Sequence, residues 1–409
     1  MNTLNQYLPY LNYVEEQHER MVSLVQQWAH INSGSYNEPG ISQMRKALTS
    51  AFGPYGDSIT EIAMQPRTTL DSAGNVQQSS TPNGLSIRKR PHAPIQVFLN
   101  GHMDTVYGPE SPFQTCRFLE GNKLNGPGVA DLKGGLVILL IALEAFEKSP
   151  FAANVGWEVF FNPDEEIGSV GSTSYLEKQA PQYDVGFIFE PQFADGAFVH
   201  ERKGSANFAL VSRGRSAHAG RHFHQGINAI AALLDPLQKL HAINTPGAQT
   251  TLNIGMLHGG TAQNIVPDLA IASLDLRASS EQEMDVVREQ IIDIVEQAKA
   301  SGAQLELHQF THRAPKPFDA TAKALFAQVE KSANLLGIPM LLRQSGGVCD
   351  GNTLAAMGLP VIDSLGATGG HIHTMDEYIE LDKLIPRAHH IALMLMQIGS
   401  GEFALPTKD

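Results

Sequence analysis

Three short stretches place acids and imidazoles where they could hold a cation. "GHMDTV" carries His102 and Asp104, "NPDEEIGS" carries Glu165 and Glu166 side by side, and "GGHIHTMDEY" carries His371 and His373. Asp131 in "GVADLKGG" and Glu190 in "FEPQ" add two more carboxylates. Adjacent glutamates repel, and a strand would throw them to opposite faces. If both serve one site, the chain must turn at "NPDEE", where Pro163 helps to stop a preceding strand. Taken singly, each residue has an ordinary role: Asp131 as a cap before a glycine-rich helix start, the glutamate pair as a solvated turn, His102 as a partly buried histidine bonded to Asp104. Taken together, they would repel strongly unless a cation sat among them, because no matching set of Arg or Lys accompanies them. Imidazole and carboxylate ligands suit zinc, and also manganese or cobalt.

These residues must be carried by elements that end close together. "IQVFLNGHMDTV" reads as an apolar strand with His102 and Asp104 at its C-terminal end, and "VGWEVFFNPDEE" and "VGFIFEPQ" as further strands ending in acids. Between the first two, "KLNGPGVADLKGGLVILLIALEAFEKS" is a glycine-rich loop feeding a long buried helix. Strand, loop, helix and strand in this order predict a βαβ sheet with the polar residues at its C-terminal edge. The first ~30 residues have helical spacing, and "DSAGNVQQSSTPNG" reads as an exposed turn between strands.

From residue 204 the texture changes to strand, helix, strand, strand, helix and strand, ending near 314. That order predicts a small ferredoxin-like α+β unit. Helices and short strands resume at "KPFDATAKALFAQVEKSANLLG". The expected architecture is α/β: residues 1–203 and 315–409 forming one domain, with 204–314 inserted into it.

Composition narrows the partners. The chain has 409 residues with an ordinary apolar fraction, and 29 basic residues against 42 acidic ones give a net charge of −13. That balance disfavours nucleic acid or an anionic membrane as a partner. The N-terminus reads as neither a signal peptide nor a transit sequence, and the longest apolar run, "LVILLIAL", is far too short to span a bilayer. Cys116 and Cys349 make no disulfide framework, which fits a reducing cytoplasm.

The motifs "GHMDTV", "GPGVADLKGG", "NPDEEIGS", "FEPQ", "GRSAHAG" and "GGHIHTMDEY", in this order, resemble the di-zinc metallopeptidase family of glutamate carboxypeptidases, aminoacylases, acetylornithine deacetylases and succinyl-diaminopimelate desuccinylases. The likeness runs from about residue 95 to 380. It implies a catalytic domain with a mixed sheet flanked by helices, and an inserted domain that dimerises. It also implies two zinc ions per chain (cobalt or manganese being the other candidates), with His102 and Glu190 on one, Glu166 and His373 on the other, and Asp131 bridging. His371 is a second imidazole in the same stretch, and the "HTMDEY" spacing favours His373. Asp104 would fix the His102 ring, Glu165 would be the general base, and a cis peptide is implied at Asp131–Leu132. His218 of the inserted domain would stabilise the oxyanion from the other subunit of a homodimer. Arg277 and Asn264 match positions that hold a substrate carboxylate, Arg277 alternatively being a strand residue paired with a nearby acid. Gly347 and Asp350 fall in another loop near the substrate.

The implied reaction is metal-dependent hydrolysis of an amide or peptide bond next to a free carboxylate. The glutamate carboxypeptidase-like branch reads closest, with N-acyl-amino-acid deacylation as the alternative. The substrate would be a small peptide or an N-acyl amino acid. A non-catalytic binding protein of the same fold would be expected to have lost a ligand or the base, and none is missing here.

Overall fold

The computed structural model describes residues 3–406. Its central sheet runs in the order Ser58–Ile62, Gly84–Lys89, Val155–Asn162, Ile95–His102, Val185–Ile188, Val361–Ile362. The last four strands are mutually parallel, and the first two pair antiparallel, so the sheet is mixed. Every residue of Val155–Asn162 is buried, as a strand covered on both faces requires.

The connection from Ile95–His102 to Val155–Asn162 passes through the helix Gly134–Glu147, whose first thirteen residues are all buried. Gly101 allows that helix to lie close, because a Cβ there would sit 2.7 Å from Leu136 Cδ2 and 3.1 Å from Leu132 Cδ1. Against the same core pack Leu384–Ser400 and the N-terminal helices. The N-terminal helical spacing belongs to two helices, Leu8–Glu15 and His18–Ala29, rather than one. The stretch read as a turn at "DSAGNVQQSS" is a hairpin, Arg67–Leu70 against Val76–Ser79, with the turn confined to residues 71–75.

A second sheet is wholly antiparallel, in the order Thr251–Gly259, Leu269–Ala278, Gly204–Arg213, Gln304–Arg313. Leu269–Ala278 alternates strictly between partly buried and buried positions. The buried face meets the helices Ala229–His241 and Glu281–Ala298 in a separate apolar cluster. The N-caps Asn228 and Ser280 accept the amides of Ala231 and Glu283, which start those two helices. The opposite face is left to meet the rest of the molecule.

Candidate metal centre

The register of the central sheet places His102 beside Asn162, so the two longest parallel strands end together. The chain then turns: Asn162 Oδ1 accepts the amide of Asp164, Glu165–Ile167 forms a single 3-10 turn, and Gly168 leaves it at φ 96°. A left-handed residue is needed there, and glycine supplies it without a Cβ penalty. Glu165 and Glu166 therefore leave the strand before they diverge. Glu190 follows Ile188, the end of the neighbouring parallel strand, by two residues.

Two groups of side chains converge at this edge, and each could hold a metal ion: His102, Asp131 and Glu190, and Asp131, Glu166 and His373. Asp131 belongs to both. Its Oδ1 lies 3.0 Å from His102 Nε2 and its Oδ2 3.3 Å from His373 Nε2. His373 Nε2 is also 3.2 Å from Glu166 Oε2, and His102 Nε2 is 3.9 Å from Glu190 Oε1. His371 belongs to neither group, and its ring packs against Tyr378.

Asp131 is held by a residue that sequence reasoning passed over. The buried carboxylate of Glu377 accepts the amides of Ala130 at 2.8 Å and Asp131 at 3.1 Å, and the Tyr107 hydroxyl at 2.7 Å. Since Glu377 lies four residues beyond His373, it ties together two of the three segments that carry the second group. The Asp131–Leu132 peptide is cis.

Asp104 does more than face His102. The ring Nδ1 has the backbone carbonyl of Asp104 at 3.0 Å, while the carboxylate is at 3.4 Å. A proton kept on Nδ1 donates to that carbonyl, so Nε2 can give up its own proton, otherwise shared with Asp131, and serve as a ligand when a cation is bound. The Asp104 carboxylate accepts the amides of Glu165 and Glu166, each at 3.1 Å, and the Ser35 hydroxyl at 2.7 Å.

The electrostatics are those of a site with excess buried negative charge. Burial and then the Asp131 charge push Glu166 up to about 8 and raise Glu190 well above the usual carboxylate range. Burial also raises Asp131, but hydrogen bonds from His102 and His373 outweigh it and hold this acid low. Bonds to Asp131 and Glu166 raise His373 to about 11. Glu166 Oε1 is buried without a hydrogen-bond partner among the described residues. Two divalent cations fit this donor set: three carboxylates and two imidazoles whose Nε2 atoms face the shared acid.

Glu165, which belongs to neither group, meets a cation. Arg313, the last residue of the second sheet, places Nη1 2.9 Å from Glu165 Oε1 and Nη2 2.5 Å from Ser169 Oγ. Asp350, which also accepts from Asn162 Nδ2 at 2.6 Å, stands 3.6 Å from Arg313. One buried guanidinium, arriving from the other sheet, thus accompanies the acids, which is still no matching set of cations.

The remaining predicted residues belong to neither metal group. His218 is exposed on the short pairing of Ala217–His218 with Ile265–Val266, its Nδ1 accepting the Gly220 amide at 3.1 Å. Asn264 is exposed beside it, its carbonyl accepting the Ala219 amide. Arg277 makes a bidentate pair with Asp275, at 2.7 and 2.9 Å. Gly347 is exposed, and its carbonyl accepts from Arg202 Nη1. No helix among the described residues is long and apolar enough to cross a membrane.

Residues 98–397 match the model of peptidase family M20/M25/M40. The chain is 28% identical over 319 residues to carboxypeptidase G2 of Pseudomonas sp. (strain RS-16), covering 75% of this chain and 74% of that protein. It is also 28% identical over 393 residues to the succinyl-diaminopimelate desuccinylase of Hahella chejuensis, covering 86% of this chain and 100% of the relative. Its fold is similar to that of an M20 family metallo-carboxypeptidase from Sulfolobus solfataricus, with a TM-score of 0.72 at 16% identity, covering 93% of this chain and 99% of the other. The chain belongs to peptidase family M20/M25/M40 and is a metal-dependent hydrolase of amide or peptide bonds.

Proposed function

We propose that this hydrolase cleaves an amide or peptide bond next to a free carboxylate, in the manner of a glutamate carboxypeptidase, with two zinc ions. The observation that carries this reading is the sharing of Asp131 between two metal-ligand groups, with Glu165 next to the ligand Glu166 in one turn. When bound there, two divalent cations polarise an amide carbonyl and lower the pKa of a water. Glu165 takes the proton of the attacking water and hands it to the leaving nitrogen. Arg313 fixes one oxygen of Glu165, so the carboxylate has one direction in which to work. His102, Asp131, Glu166, Glu190 and His373 are the ligands in this reading.

Residues 204–314 act as an inserted dimerisation domain in this reading, and His218 stabilises the oxyanion of the partner subunit's substrate. Its exposure, and its belonging to neither of this chain's own metal groups, support that arrangement. Arg277 and Asn264 bind the substrate's carboxylate, which requires Arg277 to exchange Asp275 for the substrate, a trade between two bidentate acids. N-acyl-amino-acid deacylation of the desuccinylase type is the second reading, favoured by a match that spans the whole of such a relative.

A panel of dipeptides and N-acyl amino acids, each with a free and an amidated C-terminal carboxyl and assayed with and without zinc, tests the proposal. Hydrolysis confined to the free acids supports it. Equal rates for the amides would remove the carboxylate requirement, and faster cleavage of N-succinyl substrates than of dipeptides would favour the second reading.

A further inference from the structure

The hairpin Arg67–Leu70/Val76–Ser79 reaches over to the second sheet. There Arg213 donates to the turn carbonyls of Ala73 at 2.9 Å and Gly74 at 2.7 Å. Behind this bridge, between the hairpin arm and the helix-free face of the sheet, lies a cleft of about 600 Å³. Its lining is mainly apolar, with Leu70 from the hairpin, Met256 and Phe310 from the sheet, and Ile167 from the turn that carries Glu166. The cleft therefore borders the turn whose other two residues, Glu165 and Glu166, belong to the candidate centre. The volume lies within the ordinary range of small-molecule sites.

One wall carries an unpaired cation. The Arg67 guanidinium lies 4.5 Å from the centre of the Tyr36 ring, and both residues line the cleft. Arg67 Nε and Nη1 are buried with no hydrogen-bond partner among the described residues. Asp71 also lines the cleft, but its carboxylate is already occupied by the amides of Ala73 and Asn75 and the side chains of Asn75 and Gln77. A buried donor left unsatisfied is costly, and an acid is the partner that a guanidinium fork takes best.

We propose that this cleft receives the part of the substrate on the acyl side of the scissile bond, and that it selects a bulky, largely apolar acyl group bearing an acidic substituent that Arg67 binds. The inference rests on the proposed hydrolysis next to a free carboxylate, which assigns the other end of the substrate to Arg277 and Asn264. An acetyl or succinyl group would leave most of the cleft empty.

The test uses N-acylglutamates with acetyl, 2-naphthoyl and 6-carboxy-2-naphthoyl groups, assayed with the full zinc-loaded protein. Wild type is expected to show kcat/KM rising in that order. Arg67→Met should lower the ratio of the carboxynaphthoyl to the naphthoyl substrate about tenfold, the equivalent of ~1.4 kcal/mol. Met256→Trp, at an exposed position, should lower both naphthoyl substrates relative to acetyl by occluding the cleft. An unchanged ratio in Arg67→Met, or acetyl cleaved as well as naphthoyl by wild type, overturns the inference. If no acylglutamate is hydrolysed, the functional reading fails, and calorimetric titration with 2,6-naphthalenedicarboxylate decides the cleft by itself. Binding weakened about tenfold by Arg67→Met supports the site; equal binding, or none by wild type, removes it.

Discussion

Arg313 Nη1 lies 2.9 Å from Oε1 of Glu165, although one ends a strand of the second sheet and the other sits on the turn after a strand of the first. A carboxylate buried beside other acids would by itself be driven toward its protonated form, and a protonated acid accepts no proton from water. Burial does raise Glu165, and the Arg313 charge is the largest influence opposing it. The second sheet thus contributes directly to the ionisation of a residue carried by the first.

Replacing Arg313 with Gln should therefore move the acid limb of the kcat/KM profile to higher pH. The sign follows from the chemistry: loss of the cation raises the Glu165 pKa, and turnover needs Glu165 ionised. Breaking a buried ion pair from one side also costs on the order of 3–5 kcal/mol of stability. A pH series of initial rates, with urea denaturation alongside, checks both effects. An acid limb that stays in place would show that Arg313 only holds the sheets together.

Glu165→Gln keeps the shape and removes the base. Turnover should fall by roughly 10²–10⁴, with metal content per chain unchanged, because Glu165 belongs to neither metal group. Metal analysis and single-turnover assays on the same preparation separate the two outcomes. A loss of metal in proportion to activity would make Glu165 a ligand.

What could be read from the sequence was local. The end of a strand, the break at Pro163 and the adjacency of Glu165 and Glu166 are properties of neighbouring residues, and they place His102, Glu165, Glu166 and Glu190 at one edge. Asp131 and His373 came through ordered motifs rather than through any local physical signal. Arg313 was hidden because its position depends on strand register: Arg313 opposes Ser205, and the register shifts between Asn207 and Phe208. A shift of one residue changes the face that a side chain occupies, and alternation in "QFTHR" does not reveal it. Glu377 was hidden for a similar reason, since its partners are backbone amides some 250 residues earlier, at Gly128, Ala130 and Asp131.

Asp104→Asn should weaken metal binding without removing a ligand. The carboxylate accepts the amides of both Glu165 and Glu166, and an amide side chain cannot accept from both through two oxygens. Metal affinity should fall about 10–100-fold, as is usual for partners that orient ligands. Competition against a chromophoric chelator gives the number. Unchanged affinity would mean that the turn is held by Ser172 and Asp164 instead, whose side chains also meet there.

Asp363 offers a stability test at a residue outside both metal groups. It is buried between Arg202 and Lys316, and although burial raises its pKa, these cations hold it at about 2. A folded-state pKa below the unfolded value of about 3.9 contributes stability that is present above pH 4 and lost as pH falls toward 2. The loss should be ~2 kcal/mol, read from urea denaturation at pH 5 and pH 2.5. Asp363→Asn should be less stable at pH 5 and should show a smaller change between the two.

The most demanding expectation concerns His218. Its ring is exposed and accepts only the Gly220 amide, and its loop contributes to neither metal group of its own chain. Thr251–Gly259 is an edge of the second sheet, and an edge strand presents unpaired backbone groups that another chain can use. If two copies associate through this part of the molecule, each can lend His218 to the other. His218→Ala and Glu165→Gln should each be nearly inactive alone. Refolded together in equal amounts, half of the dimers are mixed, and each mixed dimer has one site with an intact Glu165 and a partner histidine. Activity should then recover to about one quarter of wild type, as expected for random pairing in a two-fold dimer. Sedimentation of the mixture establishes the dimer independently. A mixture that stays inactive while sedimenting as a dimer would place His218 in its own chain's site or outside catalysis altogether.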